Sequence, residues 1–175
     1  FQVIVLIPEI ALTFQTVMRF YARFGEQICV MHSRLSDGER YDQFDRARRG
    51  EAQIMIGARS ALFTPFEMLG LIVMDEEHEG AYGSEGAPRY HAREVAEHLA
   101  RMEGAHFVMG SATPSVEAYS KAEAGLYRLF SLTVRAGKDS ALAATEIVDM
   151  RGELREGNKS IFSRRLKELI EDRLE

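Results

Sequence analysis

The chain has 175 residues, with a single cysteine and no tryptophan. Because Cys29 stands alone, an internal disulfide and a zinc site made of cysteines are both excluded within this sequence. No apolar run approaches the roughly 20 residues that a membrane-spanning helix needs, and no secretory signal is recognisable. These absences predict a cytoplasmic protein with no membrane partner.

The chain also lacks an excess of positive charge, since its net charge at pH 7 is -5. This excludes a histone-like or tail-type nucleic-acid binder, so any contact with DNA must use a local patch. Hydrophobic residues make up 46% of the sequence and charged residues 28%, which is typical of a globular domain with a core.

Short apolar runs alternate with amphipathic segments along most of the chain. Buried strands are predicted at residues 3–7, 28–31, 54–56, 71–74 and 107–109. Helices are predicted at residues 12–24, 36–49 and 89–102, and from Pro114 onward. The strands are apolar throughout rather than alternating, as in parallel sheets covered on both faces. The pattern therefore predicts an α/β fold with a three-layer, parallel-sheet architecture.

The pattern weakens after Ala124, which predicts a boundary between a domain at 1–124 and an exit segment at 125–175. Short strands are predicted at 127–132 and 146–148, and a loop at 135–144. Ser163 is expected to cap a last helix. The apolar face of that helix is formed by Leu166, Leu169, Ile170 and Leu174.

Polar residues follow each predicted strand at the point where it ends. These segments are 8–9, 32–33, 57–60, 75–78 and 110–115. The carboxyl ends of parallel strands share one edge of a sheet, and ligands bind at that edge. The segments are therefore expected to form one site.

The most informative of these segments is Asp75-Glu76-Glu77-His78. Phosphoryl transfer needs a divalent cation and a group that orients the attacking water. One acid at the end of a rigid strand can hold Mg²⁺ through water, while the next faces the γ-phosphate. The alternative is an acidic turn in solvent.

Three other segments have the side chains of a nucleic-acid or nucleotide site. In 110–115, Ser111 and Thr113 can bond a neighbouring carboxylate, although Thr113 could simply cap a helix. Arg59 and Ser60 can contact phosphates, whereas the nearby Phe63 and Phe66 are expected in the core more often than on bases. Proteins often bind single-stranded nucleic acids with a combination of cationic and aromatic side chains. Here that combination consists of Tyr82, Arg89, Tyr90 and Arg93.

Taken together, the motifs resemble those of superfamily 2 helicases, and specifically the PriA family of bacterial primosomal replication-restart helicases. The matching segments are 6–13, 32–40, 57–63, 75–78, 88–93, 110–115 and 146–151, in the family's order. The resemblance implies a RecA-like motor domain of the P-loop NTPase type. It also implies ATP and Mg²⁺ as cofactors.

The resemblance further implies roles for individual residues. Asp75 would hold Mg²⁺ through water, Glu76 would position the water, and His78 would complete the catalytic set. Ser111 and Thr113 would couple the nucleotide site to the DNA path. The DNA-binding residues would be Pro8, Glu9, Arg59, Ser60, Tyr82, Arg89, Tyr90 and Arg93.

The sequence departs from the family's pattern in several parts. It contains no phosphate-binding Gly-x-x-x-x-Gly-Lys-Ser/Thr loop, no second motor domain with its zinc-binding cysteines, and no first DNA-binding region. Residues 83–86 also lack an expected lysine and glutamine. We therefore expect a motor domain truncated at its N-terminus and inactive alone.

The full protein would be a 3′-to-5′ DNA helicase that assembles the primosome at stalled forks. Its partners would be DNA, other primosome proteins and single-stranded-DNA-binding protein, and zinc is expected only in the second motor domain. Two alternatives remain at this point: another superfamily 2 translocase, or a non-catalytic module that binds single-stranded DNA or a partner protein.

Overall fold

The computed structural model describes residues 1–84, 86–134 and 144–174. The chain divides into two compact units, 1–129 and 130–175. The predicted boundary after Ala124 falls five residues before this division.

The first unit contains a five-stranded sheet, which confirms the predicted architecture. Its strands are β1 Gln2–Leu6, β2 Ile28–Met31, β3 Ile54–Gly57, β4 Leu69–Met74 and β5 His106–Met109. The spatial order is β2-β3-β1-β4-β5, and every neighbouring pair is parallel. β1, β3 and β4 therefore occupy the centre, and their carboxyl ends lie side by side.

Four α-helices connect or follow these strands. They are α1 Phe14–Phe24, α2 Asp37–Arg48, α3 Ala92–Glu103 and α4 Val116–Glu123. The predicted capping box of α2 is present, because Ser36 accepts from the Glu39 backbone and the Glu39 side chain accepts from the Ser36 backbone. α1 begins at Phe14, later than predicted, because Thr13 is its cap.

The sheet is covered on both faces, which explains why its strands read as continuous apolar runs. Side chains alternate along β1. Ile4 and Leu6 belong to a core cluster that also contains residues of α2 and α3. Val5 belongs to a second cluster, together with residues of α1. Each fully buried Ile or Leu contributes about 1.5–3 kcal/mol of transfer free energy, so both helical layers are needed.

The start of α4 differs from the prediction. Helical residues begin at Val116 rather than at Pro114, and the cap is Ser115, whose hydroxyl accepts from the Ala118 N–H at 3.2 Å. The expectation that Thr113 caps this helix is therefore wrong. The backbone N–H of Thr113 instead donates to the Ser111 hydroxyl at 3.1 Å.

In its described residues, 130–134 and 144–174, the second unit contains two helices, α5 Met150–Arg155 and α6 Arg164–Leu174. Ser163 lies at the start of α6 as predicted, and its hydroxyl accepts from the Leu166 N–H at 3.0 Å. None of the helices in the described parts of the chain has the length and apolar character needed to cross a membrane.

The strands predicted at 127–132 and 146–148 are wrong, because both segments lack regular structure. Their apolar side chains point into solvent: Leu132 is 97% exposed and Ile147 94%. An extended segment without a partner strand leaves its backbone groups to water. Of the predicted loop at 135–144, residues 135–143 lie outside the described residues.

Candidate functional site

The loops after β1, β3, β4 and β5 converge at one edge of the sheet, as the parallel topology requires. Backbone hydrogen bonds set their spacing. Asp75 N–H donates to the Leu6 carbonyl at 2.9 Å, and Ile7 N–H donates to the Gly57 carbonyl at 2.9 Å. Gly110 N–H donates to the Met74 carbonyl at 2.8 Å. Residues distant in sequence are thus fixed as neighbours.

The predicted catalytic acids lie directly after β4. Asp75 is exposed and Glu76 is partly buried. The Glu76 N–H donates to the Asp75 carboxylate at 3.1 Å. Glu76 has a φ of 47°, a backbone conformation that is unusual for a residue with a side chain and that recurs at functional sites.

His78 joins the end of β4 to the end of β5. Its Nδ1 lies 2.7 Å from the Ser111 hydroxyl oxygen and 3.6 Å from the Glu76 carboxylate. The structure therefore brings together Glu76, His78 and Ser111, three residues that the sequence assigned to one site. Thr113 takes part through its backbone N–H, which donates to Ser111.

Glu77 has a role that the sequence did not reveal. Its side chain is 3% exposed and accepts from three donors. These are the Ser115 N–H at 2.6 Å, the Ser115 hydroxyl at 3.0 Å and the Arg93 guanidinium at 3.2 Å. The available signal was a third acid after a buried strand, since a buried carboxylate requires a cationic partner.

Three of the predicted DNA-binding side chains are buried, so the prediction that they contact DNA directly is corrected. Arg93 is 8% exposed and pairs with Glu77. Pro8 is fully buried, and its carbonyl accepts from the Ala11 N–H in the turn after β1. Tyr82 is 1% exposed.

Tyr82 connects β1 to the acidic loop. Its hydroxyl lies 3.1 Å from the Leu6 carbonyl and 2.6 Å from the Asp75 carbonyl, and it can donate to either. Burial raises the pKa of this phenol, and the negative charges of Asp75 and Glu76 raise it further. The residue therefore stays a neutral donor that holds the backbone of Asp75.

The remaining predicted DNA-binding residues reach the surface. Ser60 and Arg89 are exposed, and Arg59 and Tyr90 are partly exposed. Arg59 donates to the Ala81 carbonyl at 3.4 Å and to the Gly83 carbonyl. Residues from the loops after β1, β3 and β4, including Arg59, line an open cleft of about 380 Å³.

Glu9 is exposed and bonded to the loop after β2. Its carboxylate accepts from the Ser33 N–H at 3.0 Å. Hydrogen bonds from the Ser33 side chain and backbone lower the pKa of Glu9 below its usual value. It therefore remains ionised at neutral pH and, on this edge, is suited to backbone or base donors rather than to phosphates.

Tyr90 and Phe63 form an aromatic pair. Their ring centroids lie 5.7 Å apart at an interplanar angle of 79°. Phe63 is 57% exposed, whereas Phe66 packs against the core cluster. The expected core position holds for Phe66, and Phe63 presents a ring at the surface.

The acids are suited to a magnesium ion held mainly by water and phosphate. Among the described residues, no group of three or more His, Cys, Asp or Glu side chains forms a metal cage. Mg²⁺ usually keeps several waters and uses one or two carboxylates together with substrate phosphates. The exposed carboxylate of Asp75 at a rigid strand end fits that mode.

Residues 1–122 match a protein-family model described as DEAD/DEAH box helicase. The chain belongs to this helicase family. Helicases of this family use a nucleotide and Mg²⁺.

Relatives with known names confirm the resemblance to PriA. The chain is 50% identical over 171 residues to replication restart protein PriA of Bacillus subtilis, covering 98% of this chain and 21% of that protein. It is 45% identical over 169 residues to PriA of Synechocystis, covering 94% and 20%. The chain thus spans about a fifth of the length of these relatives.

One solved structure to which the chain is similar is the C-terminal domain of the DEAD-box protein Dbp5. The sequence identity is 14%, and the alignment covers 74% of this chain and 72% of that chain. The TM-score is 0.45.

Proposed function

We propose that this chain is part of an ATP-dependent 3′-to-5′ DNA helicase that acts in replication restart. The observation that carries the proposal is the contact between His78 and Ser111, 2.7 Å apart, which joins the strand ends beside Asp75 and Glu76. The relatives named replication restart protein PriA support the biological role.

The chemistry assigned to the site is hydrolysis of the γ-phosphate of ATP. Asp75 would hold Mg²⁺ through water, and that ion would neutralise charge on the phosphate oxygens. Glu76 would accept a hydrogen bond from the attacking water and orient it. His78 and Ser111 would keep Glu76 at a fixed distance from the loop after β5. Tyr82 would hold the backbone of Asp75.

DNA would bind along the same edge of the sheet. Arg59, Ser60 and Arg89 would contact phosphates, and Tyr90 would offer a ring to an unstacked base. In the full protein, the partners would be forked and single-stranded DNA, other primosome proteins and single-stranded-DNA-binding protein in the cytoplasm. Zinc would belong to a second motor domain outside these 175 residues.

The test uses Glu76→Gln in a full-length protein that carries this sequence. We expect ATP hydrolysis in the presence of single-stranded DNA to fall by about 10²-fold or more, since the water loses its base. Binding of the DNA, measured by fluorescence anisotropy, should stay within about threefold, because Glu76 lies outside the set assigned to DNA.

The matched control is Glu67→Gln, the same chemical change at an exposed residue just before β4, at the opposite end of that strand. Its hydrolysis rate should equal that of the unaltered protein. Full hydrolysis by Glu76→Gln would exclude this mechanism and favour a non-catalytic DNA-binding module.

A further inference from the structure

A second groove lies beside the cleft of about 380 Å³, between the start of α1 and the loop after β2. Its volume is about 790 Å³, within the range of pockets that hold small ligands. Glu9 lines both the cleft and the groove. A strand of nucleic acid that follows the cleft past Glu9 therefore reaches the groove.

The wall of the groove combines partly buried apolar side chains with exposed ones. Leu12, Val17 and Val30 line the groove and pack against the second core cluster. Phe14, the first residue of α1, also lines it, and this side chain is 78% exposed. Exposed apolar surface beside charged residues is typical of a ligand-binding groove.

The loop after β2 is held in place by hydrogen bonds to both backbone groups of Ser33. The Ser33 N–H donates to the Glu9 carboxylate at 3.0 Å, and its carbonyl accepts from the Arg40 guanidinium at 3.0 Å. The next residue, Arg34, is exposed and lines the groove. Its side chain therefore extends from a fixed backbone.

The charged residues of the groove favour a nucleotide that is bound with its base inward. Hydrogen bonds from Ser33 lower the pKa of Glu9, and the positive charge of the nearby Arg34 lowers it further. An ionised carboxylate repels a phosphate but accepts a hydrogen bond from the amine of a base. Arginine attracts the phosphate. A peptide that docked through apolar side chains would use neither charge.

We propose that this groove binds one unstacked nucleobase of the DNA strand, with the Phe14 side chain against the base and Arg34 on an adjoining phosphate. The inference rests on the DNA-binding part of the proposed function and extends it to residues outside the set assigned there. Stacking on an aromatic ring accepts every base, so the groove holds the strand without selecting its sequence.

The experiment measures the affinity of the full-length protein for short oligothymidylates by fluorescence anisotropy, without ATP. A single abasic site, which keeps the sugar and phosphate but lacks the base, is moved along the strand one position at a time. We expect the abasic site to weaken binding by about 5-fold to 100-fold at the position that enters the groove, the scale of one stacked base.

Phe14→Ala should abolish the abasic penalty at that position and leave the affinity for the strand that is abasic there unchanged, because the lost contacts are the same. Phe14 is exposed, so its truncation keeps the core intact. The matched control is Tyr41→Ala, which removes a 64% exposed ring from α2. This variant should keep the full penalty.

Arg34→Gln tests the phosphate contact. The slope of log affinity against log salt concentration should become shallower by about 0.7, the contribution of one phosphate on a single strand. Arg19→Gln, which removes an exposed arginine of α1, is the matched control and should leave the slope unchanged.

The outcomes separate this inference from the helicase proposal. A Phe14→Ala protein that keeps the abasic penalty overturns the base subsite, and so does an equal loss of affinity for intact and abasic strands. A groove that instead holds a peptide would give no penalty that depends on Phe14, which also overturns it. Absence of DNA-stimulated hydrolysis in the unaltered protein overturns the helicase proposal alone, because binding is measured without ATP.

Discussion

At the scale of single residues, the three acids after β4 differ in their exposure to solvent and in their backbone conformation. Asp75 is exposed, Glu76 has a positive φ and Glu77 is buried. Four adjacent polar residues thus divide into three that reach the surface and one that faces the protein. Residue type and position after a strand suffice to predict the first group. The buried role of Glu77 depends on Arg93, which is distant in sequence and requires the tertiary fold.

The backbone of Glu76 gives a prediction about stability. Among the described residues, Glu76 is the only non-glycine residue with a positive φ. Such a conformation raises the free energy of a residue with a Cβ by about 1–2 kcal/mol, whereas glycine adopts it at almost no cost. Glu76→Gly should therefore unfold in urea with a free energy about 1 kcal/mol higher than that of Glu76→Ala, although both lack the carboxylate.

The control for this comparison is Glu79, which lies in the same loop with a φ of -65°. There the order should reverse, because glycine only adds freedom to the unfolded chain. Equal stability of Glu76→Gly and Glu76→Ala would mean that the turn after β4 relaxes once the side chain is removed.

At the scale of elements, the sequence predicted the sheet and the first three helices. The succession of apolar and amphipathic segments and the capping residues are both local signals in the sequence. Ser36 and Glu39 form their capping box within four residues. The start of α4 was mispredicted because Thr113 and Ser115 are both acceptable caps. The choice between them is made by Glu77 and Arg93, which bond Ser115 and belong to other elements.

This choice of cap can be tested by removing each hydroxyl. Ser115→Ala should lower the free energy of unfolding by about 1–3 kcal/mol, because α4 loses its cap and two buried charged groups lose a partner. Thr113→Ala should change it by no more than about 0.5 kcal/mol, as for other exposed sites. Urea denaturation followed by circular dichroism measures both. Equal losses would contradict the assignment of Ser115 as the cap.

Failed strand predictions at the same scale have a clear physical cause. Segments 127–132 and 146–148 contain β-branched and aromatic residues, which favour strands when a pleated surface is available. The structure places Leu132 and Ile147 in solvent. A segment with high strand propensity forms a strand only where a neighbouring strand can pair with it. The local sequence does not show whether such a neighbour is present.

At the scale of the whole molecule, the net charge disfavours DNA binding, whereas the charge at the proposed DNA site favours it. The chain is acidic overall, with a net charge of -5, yet Arg59 and Arg89 lie at the sheet edge assigned to DNA. The arginines around the end of α2 do not extend this patch: Arg48 and Arg49 pair with Asp45, and Arg46 donates to backbone carbonyls. Binding by these few cations should therefore be weak, and its salt dependence should be shallow, because the slope scales with the number of phosphates neutralised.

Whether these 175 residues can act alone as an ATPase also depends on the molecule as a whole. The sequence provides the acids and His78, but it contains no Gly-x-x-x-x-Gly-Lys-Ser/Thr segment to cradle the phosphates. Phosphoryl transfer depends on positioning and charge stabilisation, so acids without a cradle do not hold the triphosphate in line with water. We expect no ATP hydrolysis above background by the isolated 175-residue chain, with or without single-stranded DNA, in a phosphate-release assay.

The matched comparison is a full-length protein carrying the same residues, which should hydrolyse ATP under identical conditions. Turnover by the isolated chain that is lost in its Glu76→Gln variant would contradict this expectation. It would mean that Asp75, Glu76 and the loop after β5 bind the triphosphate well enough by themselves. The family's phosphate loop would then add rate rather than create the site.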